Sequence, residues 1–240
     1  MSKISDRLEQ IEQNIAAACS RADRSVAEVR IVVVTKTVPA ASVKEVIELG
    51  YTELGENRVQ RLKQISQEVS EFLGDGSSKD DEPDKVNWHM IGHLQRNKVR
   101  QVLKVSSIIH SVDTLRLAEE IDATGGKLGM KPDILLQVNC SGEPQKYGVP
   151  VGAATHLAEQ FASMENLRLV GLMTMAPLTR DKDVVRTCFV RAKELFEEIK
   201  RGPLVGSPFS QLSMGMSQDY EIAVEEGATI LRIGSAIFAG

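Results

Sequence analysis

The sequence predicts an α/β fold: a single (β/α)8 TIM barrel with an extra N-terminal helix, with residues 1–240 forming one domain. Three observations lead there. Short apolar, β-branched runs alternate eight times with amphipathic segments, the rhythm of a parallel sheet in which each strand is followed by a covering helix. A chain of 240 residues matches the length of about 250 typical of one such barrel. The turn after the first strand reads Lys36-Thr37-Val38-Pro39, without the glycines that an open doubly wound sheet places there to approach a phosphate.

The elements follow in order. Ile4, Leu8, Ile11, Ile15 and Ala18 recur at helical steps, so residues 3–22 form an amphipathic helix ahead of the barrel. Ile31 to Thr35 is the first strand, buried on both faces. Ser42 with Glu45 three positions on has the form of a capping box for a helix that stops at Gly50. Tyr51–Leu54 and Val86–Ile91 are strands two and three, followed by helices from about Asn57 to Phe72 and from about Gln95 to Leu103. Ile108–Ser111 is strand four, and Asp113 caps a helix carrying Leu115, Leu117, Ala118 and Ile121. Ile134–Val138 is strand five, with Pro150 opening a helix that ends near Met164. Leu169–Met173 and a helix from Asp183 to Lys200 make the sixth unit. Leu212 falls in a short seventh strand before a helix from Ser217 to Glu226, and Thr229–Ile233 is the eighth strand with a stub of helix after it. The segment 74–84, Gly-Asp-Gly-Ser-Ser-Lys-Asp-Asp-Glu-Pro-Asp, reads as an acidic surface loop.

Composition narrows the chemistry. Hydrophobic residues at 42% and charged residues at 26% are ordinary for a water-soluble globular chain, and no apolar run reaches membrane-spanning length. The N-terminus passes directly into a charged helix without a signal-type apolar region, so a cytoplasmic location is expected. The balance of 29 basic and 33 acidic residues, net −4, argues against a general affinity for nucleic acid. Cys19, Cys140 and Cys188 are spaced for neither a disulfide framework nor zinc, and are expected as buried small hydrophobes. His89, His93, His110 and His156 lack the close pairing of a metal-binding helix, so no metal is expected.

Polar residues collect at the strand ends, where barrels hold their ligands. Lys36 follows strand one, Glu56-Asn57 strand two, His89 and Gly92-His93 surround strand three, and Asn139 follows strand five. Ser213-Met214-Gly215 lies at strand seven, and Arg232 with Gly234-Ser235 at strand eight. The last two loops are where barrels frequently bind phosphate; Gly-Ser there is either an anion cradle or a plain helix-capping turn. Arg232, between Leu231 and Ile233, is buried and needs a partner. That partner is either a carboxylate such as Glu53 or Glu56 or an acceptor on a ligand. An anion cradle facing a lysine amine is what pyridoxal 5′-phosphate (PLP) requires.

At these residues the chain resembles a known family. Trp88-His89-Met90-Ile91-Gly92-His93-Leu94-Gln95-Arg96-Asn97-Lys98 looks like the signature of the PLP homeostasis proteins, the YggS/PROSC group. So do Val34-Thr35-Lys36, Gly55-Glu56-Asn57, Ser213-Met214-Gly215-Met216-Ser217 with Asp219, and Arg232-Ile233-Gly234-Ser235. The resemblance covers essentially the whole chain, departing only in the acidic 74–84 insertion and in the lack of a marked tail. It implies a fold-type III PLP-binding barrel like the N-terminal domain of alanine racemase, with PLP held as a Schiff base on Lys36. Phosphate contacts are implied from Ser213, Gly234 and Ser235, with Arg232 beside the pyridine nitrogen and Asn57, His89 and Met214 completing the cofactor site. An arginine there leaves the nitrogen unprotonated and the ring a poor electron sink. The racemases complete their site with a second domain, for which this sequence leaves no residues after Ser235. The expected function is a monomeric PLP carrier and buffer in vitamin B6 homeostasis, without robust catalysis, that passes PLP to apoenzymes. The alternative is a weak amino-acid racemase using Lys36 with His89 or Tyr147.

Overall fold

The computed structural model describes residues 2–76, 86–202 and 208–239. Its eight barrel strands are β1 (Arg30–Val34), β2 (Glu53–Glu56), β3 (Asn87–Met90), β4 (Ser106–Val112), β5 (Asp133–Asn139), β6 (Arg168–Met173), β7 (Gln211–Met216) and β8 (Ile230–Ile233). They pair in chain order, every pair parallel, and β8 returns to β1 with Val32 opposite Arg232. The result is the closed (β/α)8 barrel. A two-residue strand, Val149–Pro150, adds to the end of β5.

Strand alternation divides the side chains between two environments. Val33, Leu54, Ile109, Ile134, Leu231 and Ile233 join the main core between barrel and helices. Ile108, Leu135, Val170 and Met173 form a separate small cluster inside the barrel. The interior also holds polar side chains: His89, His110, Ser213 and Arg232 are all buried.

The helices are α1 (Lys3–Arg21), α2 (Ala40–Glu48), α3 (Val59–Gly76), α4 (Val99–Val102), α5 (Leu115–Leu128), α6 (Val151–Ala162), α7 (Lys182–Lys200), α8 (Tyr220–Glu225) and α9 (Ser235–Phe238). Ser2 caps α1, accepting from the Ser5 amide at 3.1 Å. This extra helix buries Leu8, Ile11 and Ile15 and packs on α8 and α9, with Asn14 donating to the Tyr220 hydroxyl at 2.8 Å.

The structure differs from the sequence reading at several helix ends. Ser42 and Glu45 lie inside α2, whose cap is Pro39 and which starts without a side-chain cap. Thr114, not Asp113, caps α5 by accepting from the Leu117 amide at 3.3 Å. The third helix shortens to a 3-10 turn, Arg96–Lys98, and the single turn of α4. The seventh begins only at Tyr220, leaving Ser217–Asp219 as a loop. Most of the acidic 74–84 segment lies outside the described residues. The three cysteines are free and buried. Among the described residues no helix is long and apolar enough to cross a membrane, and no cluster of three His, Cys, Asp or Glu side chains could hold a metal.

Candidate functional site

A cavity of about 760 Å³ opens at the C-terminal mouth of the barrel, within the size range of small-molecule sites. Lys36 enters it two residues beyond the end of β1 at Val34. The preceding Thr35 is fixed, its hydroxyl donating to Glu56 Oε1 at 2.6 Å. The following Thr37 has φ 62° and donates its hydroxyl to the Lys36 carbonyl at 2.6 Å. A β-branched residue in that left-handed conformation is strained by about 1–2 kcal/mol, so the chain leaves β1 in a kink with the lysine exposed at the mouth. Glu56 itself is buried, its Oε2 without a hydrogen-bond partner among the described residues, and burial raises its carboxyl above the usual range despite the Thr35 hydrogen bond and nearby Arg61.

Two loops make the opposite wall. Gly215, φ 92°, turns β7 sharply; a Cβ there would stand 2.5 Å from the Ala223 Cβ. The turn is closed by Asp219, which accepts from the Met216 amide at 2.6 Å. Ser217 then faces the loop after β8 and accepts from the amides of Gly234 at 3.3 Å and Ala236 at 3.1 Å. With both lone pairs directed at protein N–H groups, its own proton remains to donate into the cavity. Gly234 packs against β1, where a Cβ would lie 3.0 Å from the Val34 carbonyl oxygen. Ser217, Gly234 and Ser235 together border the cavity with small, donor-rich groups.

Arg232 forms part of the floor, only 4% exposed. It donates from Nη1 to Ser213 Oγ at 2.6 Å and from Nη2 to the Thr174 carbonyl at 2.9 Å. Burial lowers its pKa to about 10, opposed by the Asp219 charge, so it stays a cation at neutral pH. Neither Glu53 nor Glu56 bonds to it directly. The rim is completed by His93 stacked on Tyr147 at 4.4 Å and 17°, by Asn57, and by the loop from Met175 to Arg180, where Leu178 is 86% exposed.

The structure therefore brings Lys36, Asn57, Arg232, Gly234 and Ser235 to one cavity. It sets four expected residues elsewhere. His89 and Ser213 lie buried beneath the floor, their polar atoms engaged with other side chains. Met214, one residue from Ser213, points by strand alternation to the outer core. Asn139 folds back on its own loop, accepting from Ser141 and the Gly142 amide. Ser217 is the residue that element-level reading passes over, because it reads as the first residue of a helix. The glycine inside Met214-Gly215-Met216-Ser217 was the available hint of a turn.

The chain matches the family model described as alanine racemase, N-terminal domain, over residues 7–240. The pyridoxal phosphate homeostasis protein of Aquifex aeolicus is 37% identical over 233 residues, covering 97% of this chain and 96% of that one. That of Escherichia coli K12 is 34% identical over 243 residues, covering 99% and 97%. Among solved structures, PipY of Synechococcus elongatus with PLP bound superposes with a TM-score of 0.81 at 31% identity, covering 98% of this chain and 99% of that one. A protein from Bifidobacterium adolescentis described as unknown gives 0.91 at 33%, covering 98% and 94%. An alanine racemase of Clostridium difficile gives 0.75 at 13% identity over 56% of its length, a likeness of fold alone.

Proposed function

Since the chain belongs to the pyridoxal phosphate homeostasis family, we propose that it holds PLP at the barrel mouth as a reserve to be handed on rather than as a reagent to be turned over. The residues present fit the group. A primary amine stands exposed on one side of the cavity, and small donors line the other around Gly234, where a side chain would crowd Val34. In this reading Lys36 holds the aldehyde end covalently, and Ser217, Gly234 and Ser235 hold the phosphate. Arg232 faces the ring nitrogen, and Asn57 borders the cofactor.

When bound, PLP supplies an electrophilic carbonyl and a ring able to withdraw electrons. Arg232 is the observation that carries the non-catalytic reading. A guanidinium only donates and stays protonated, so it satisfies the ring nitrogen without giving it a proton and leaves the ring a weak electron sink. The racemase alternative loses one of its acid/base candidates, since His89 is 1% exposed and bonded at both ring nitrogens. The exposed Lys36 amine suits exchange with amines from solvent or from apoenzymes. We take residues 1–240 as one PLP-binding domain acting as a cytoplasmic monomer.

Borohydride reduction of the PLP-loaded protein followed by peptide mapping tests the assignment. One pyridoxyl adduct on Lys36, absent in Lys36→Ala, is expected; an adduct on Lys98 or Lys146 refutes it.

A further inference from the structure

The barrel interior contains polar side chains that the proposed site does not use directly. Glu53 opens β2 at the end of the barrel away from the mouth. Its Oε2 lies 2.5 Å from His89 Nε2, and His89 Nδ1 lies 2.8 Å from His110 Nε2. His110 Nδ1 lies 2.9 Å from Ser213 Oγ, which Arg232 Nη1 reaches at 2.6 Å. Five residues from five strands thus form one continuous chain of hydrogen bonds from the far end of the barrel to the cavity floor.

The donors can be assigned from one end. Arg232 only donates, so Ser213 accepts from it. The only other partner of the Ser213 hydroxyl among the described residues is His110 Nδ1, which must therefore be bare and accept the serine proton. His110 then carries its proton on Nε2 and donates to His89 Nδ1, and His89 donates from Nε2 to the Glu53 carboxylate. Every hydrogen bond points the same way, with both imidazoles neutral. At His110 the surroundings agree: burial first, then the charges of Arg232 on β8 and Arg30 on β1, disfavour a cation there, while Glu53, itself 4.0 Å from Arg30, is the acceptor that ends the chain at His89 Nε2.

We propose that Glu53, His89, His110 and Ser213 are positioning residues, a one-directional relay that fixes the Arg232 guanidinium at the cavity floor and keeps proton-donating imidazolium out of the barrel interior. Under the function proposed above, the relay secures the unprotonated state of the cofactor's ring nitrogen from beneath. A proton entering at His89 would reverse the His89–His110 bond and drive His110 to donate toward Ser213, displacing the serine proton that has no other acceptor.

The test begins on the protein without PLP. Histidine-selective ¹⁵N NMR at neutral pH should show His110 and His89 each carrying the ring proton on Nε2. Ser213→Ala should release His110 to exchange between tautomers and weaken PLP binding about tenfold. Ser213→Thr, which keeps the hydroxyl, should restore both. A wild-type His110 protonated on Nδ1 overturns the relay, as does a folded Ser213→Ala protein with unchanged tautomers and unchanged PLP affinity. The expected tautomers in a wild-type protein that fails to bind PLP would uphold the relay and refute the proposed function instead.

Discussion

Replacing Ser217 by alanine separates phosphate recognition from recognition of the rest of PLP. Its Oγ accepts two amide protons, from Gly234 at 3.3 Å and Ala236 at 3.1 Å, and its own proton is left for the cavity. The two accepted bonds are long and part-buried, so their loss should lower stability by about 1–2 kcal/mol in total. The donated bond would meet a charged phosphate oxygen, where one hydrogen bond is worth about 1.5–3 kcal/mol, or roughly 10- to 150-fold in affinity. The freed amides of Gly234 and Ala236 can turn toward the phosphate and offset part of this, which places the expected loss near tenfold. Equilibrium titration of the PLP-free variant with PLP and, in parallel, with pyridoxal is the assay. PLP affinity should fall while pyridoxal affinity stays within about twofold. Unchanged PLP affinity, or an equal loss for pyridoxal, would refute the assignment of this wall to the phosphate.

Four further outcomes are expected. Burial holds the His110 imidazole well below its ordinary 6.5, aided by the charges of Arg232 and Arg30, so below that pH the unfolded chain takes up a proton that the folded one refuses. Stability should therefore fall with decreasing pH at up to about 1.4 kcal/mol per unit, and urea unfolding should show that slope reduced in His110→Gln; identical slopes would contradict it. Glu53 acts in a lower window: burial opposes its ionisation, but hydrogen bonds from His89 and Asn87 and the Arg30 charge win, so the stability it adds above 4.5 is lost only as pH falls through its depressed pKa. Gly92→Ala would set a Cβ 2.2 Å from the Asn57 carbonyl oxygen, forcing the loops after β2 and β3 apart. A loss of about 1–3 kcal/mol in thermal or urea unfolding is expected, with weaker PLP binding through displaced Asn57; wild-type stability would show that the contact relaxes freely. Light scattering at micromolar concentration should give the mass of one chain, and twice that mass would contradict the monomer.

Much of this protein is legible in its sequence because the relevant physics is local. The run Ile31-Val32-Val33-Val34-Thr35 must be buried on both faces, and a strand so buried is parallel, helix-covered and delivers the next side chain, Lys36, to a ligand-binding end. Arg232 between Leu231 and Ile233 announces a buried cation in the same way. Local patterns fail where two conformations of one segment compete. Ser42 with Glu45 has the form of a capping box, yet Pro39 already starts α2; Asp113 could cap α5, yet Thr114 does.

What only the tertiary structure decides is which distant groups meet. Adjacent Ser213 and Met214 are equally polar-rim candidates in sequence, but alternation about β7 sends one into the barrel and the other into the outer core. Ser217 leaves its apparent helix because Gly215 turns left-handed and Asp219 closes the loop, presenting its hydroxyl to Gly234 seventeen residues on. The partner of Arg232 is the sharpest case. Sequence offered a carboxylate or a ligand, whereas the closed barrel supplies Ser213 and the Thr174 carbonyl, with Glu53 reached only through two histidines. Periodicity and burial are written residue by residue along the chain, but hydrogen-bond partners are set by the closure and register of eight strands, which no local stretch contains.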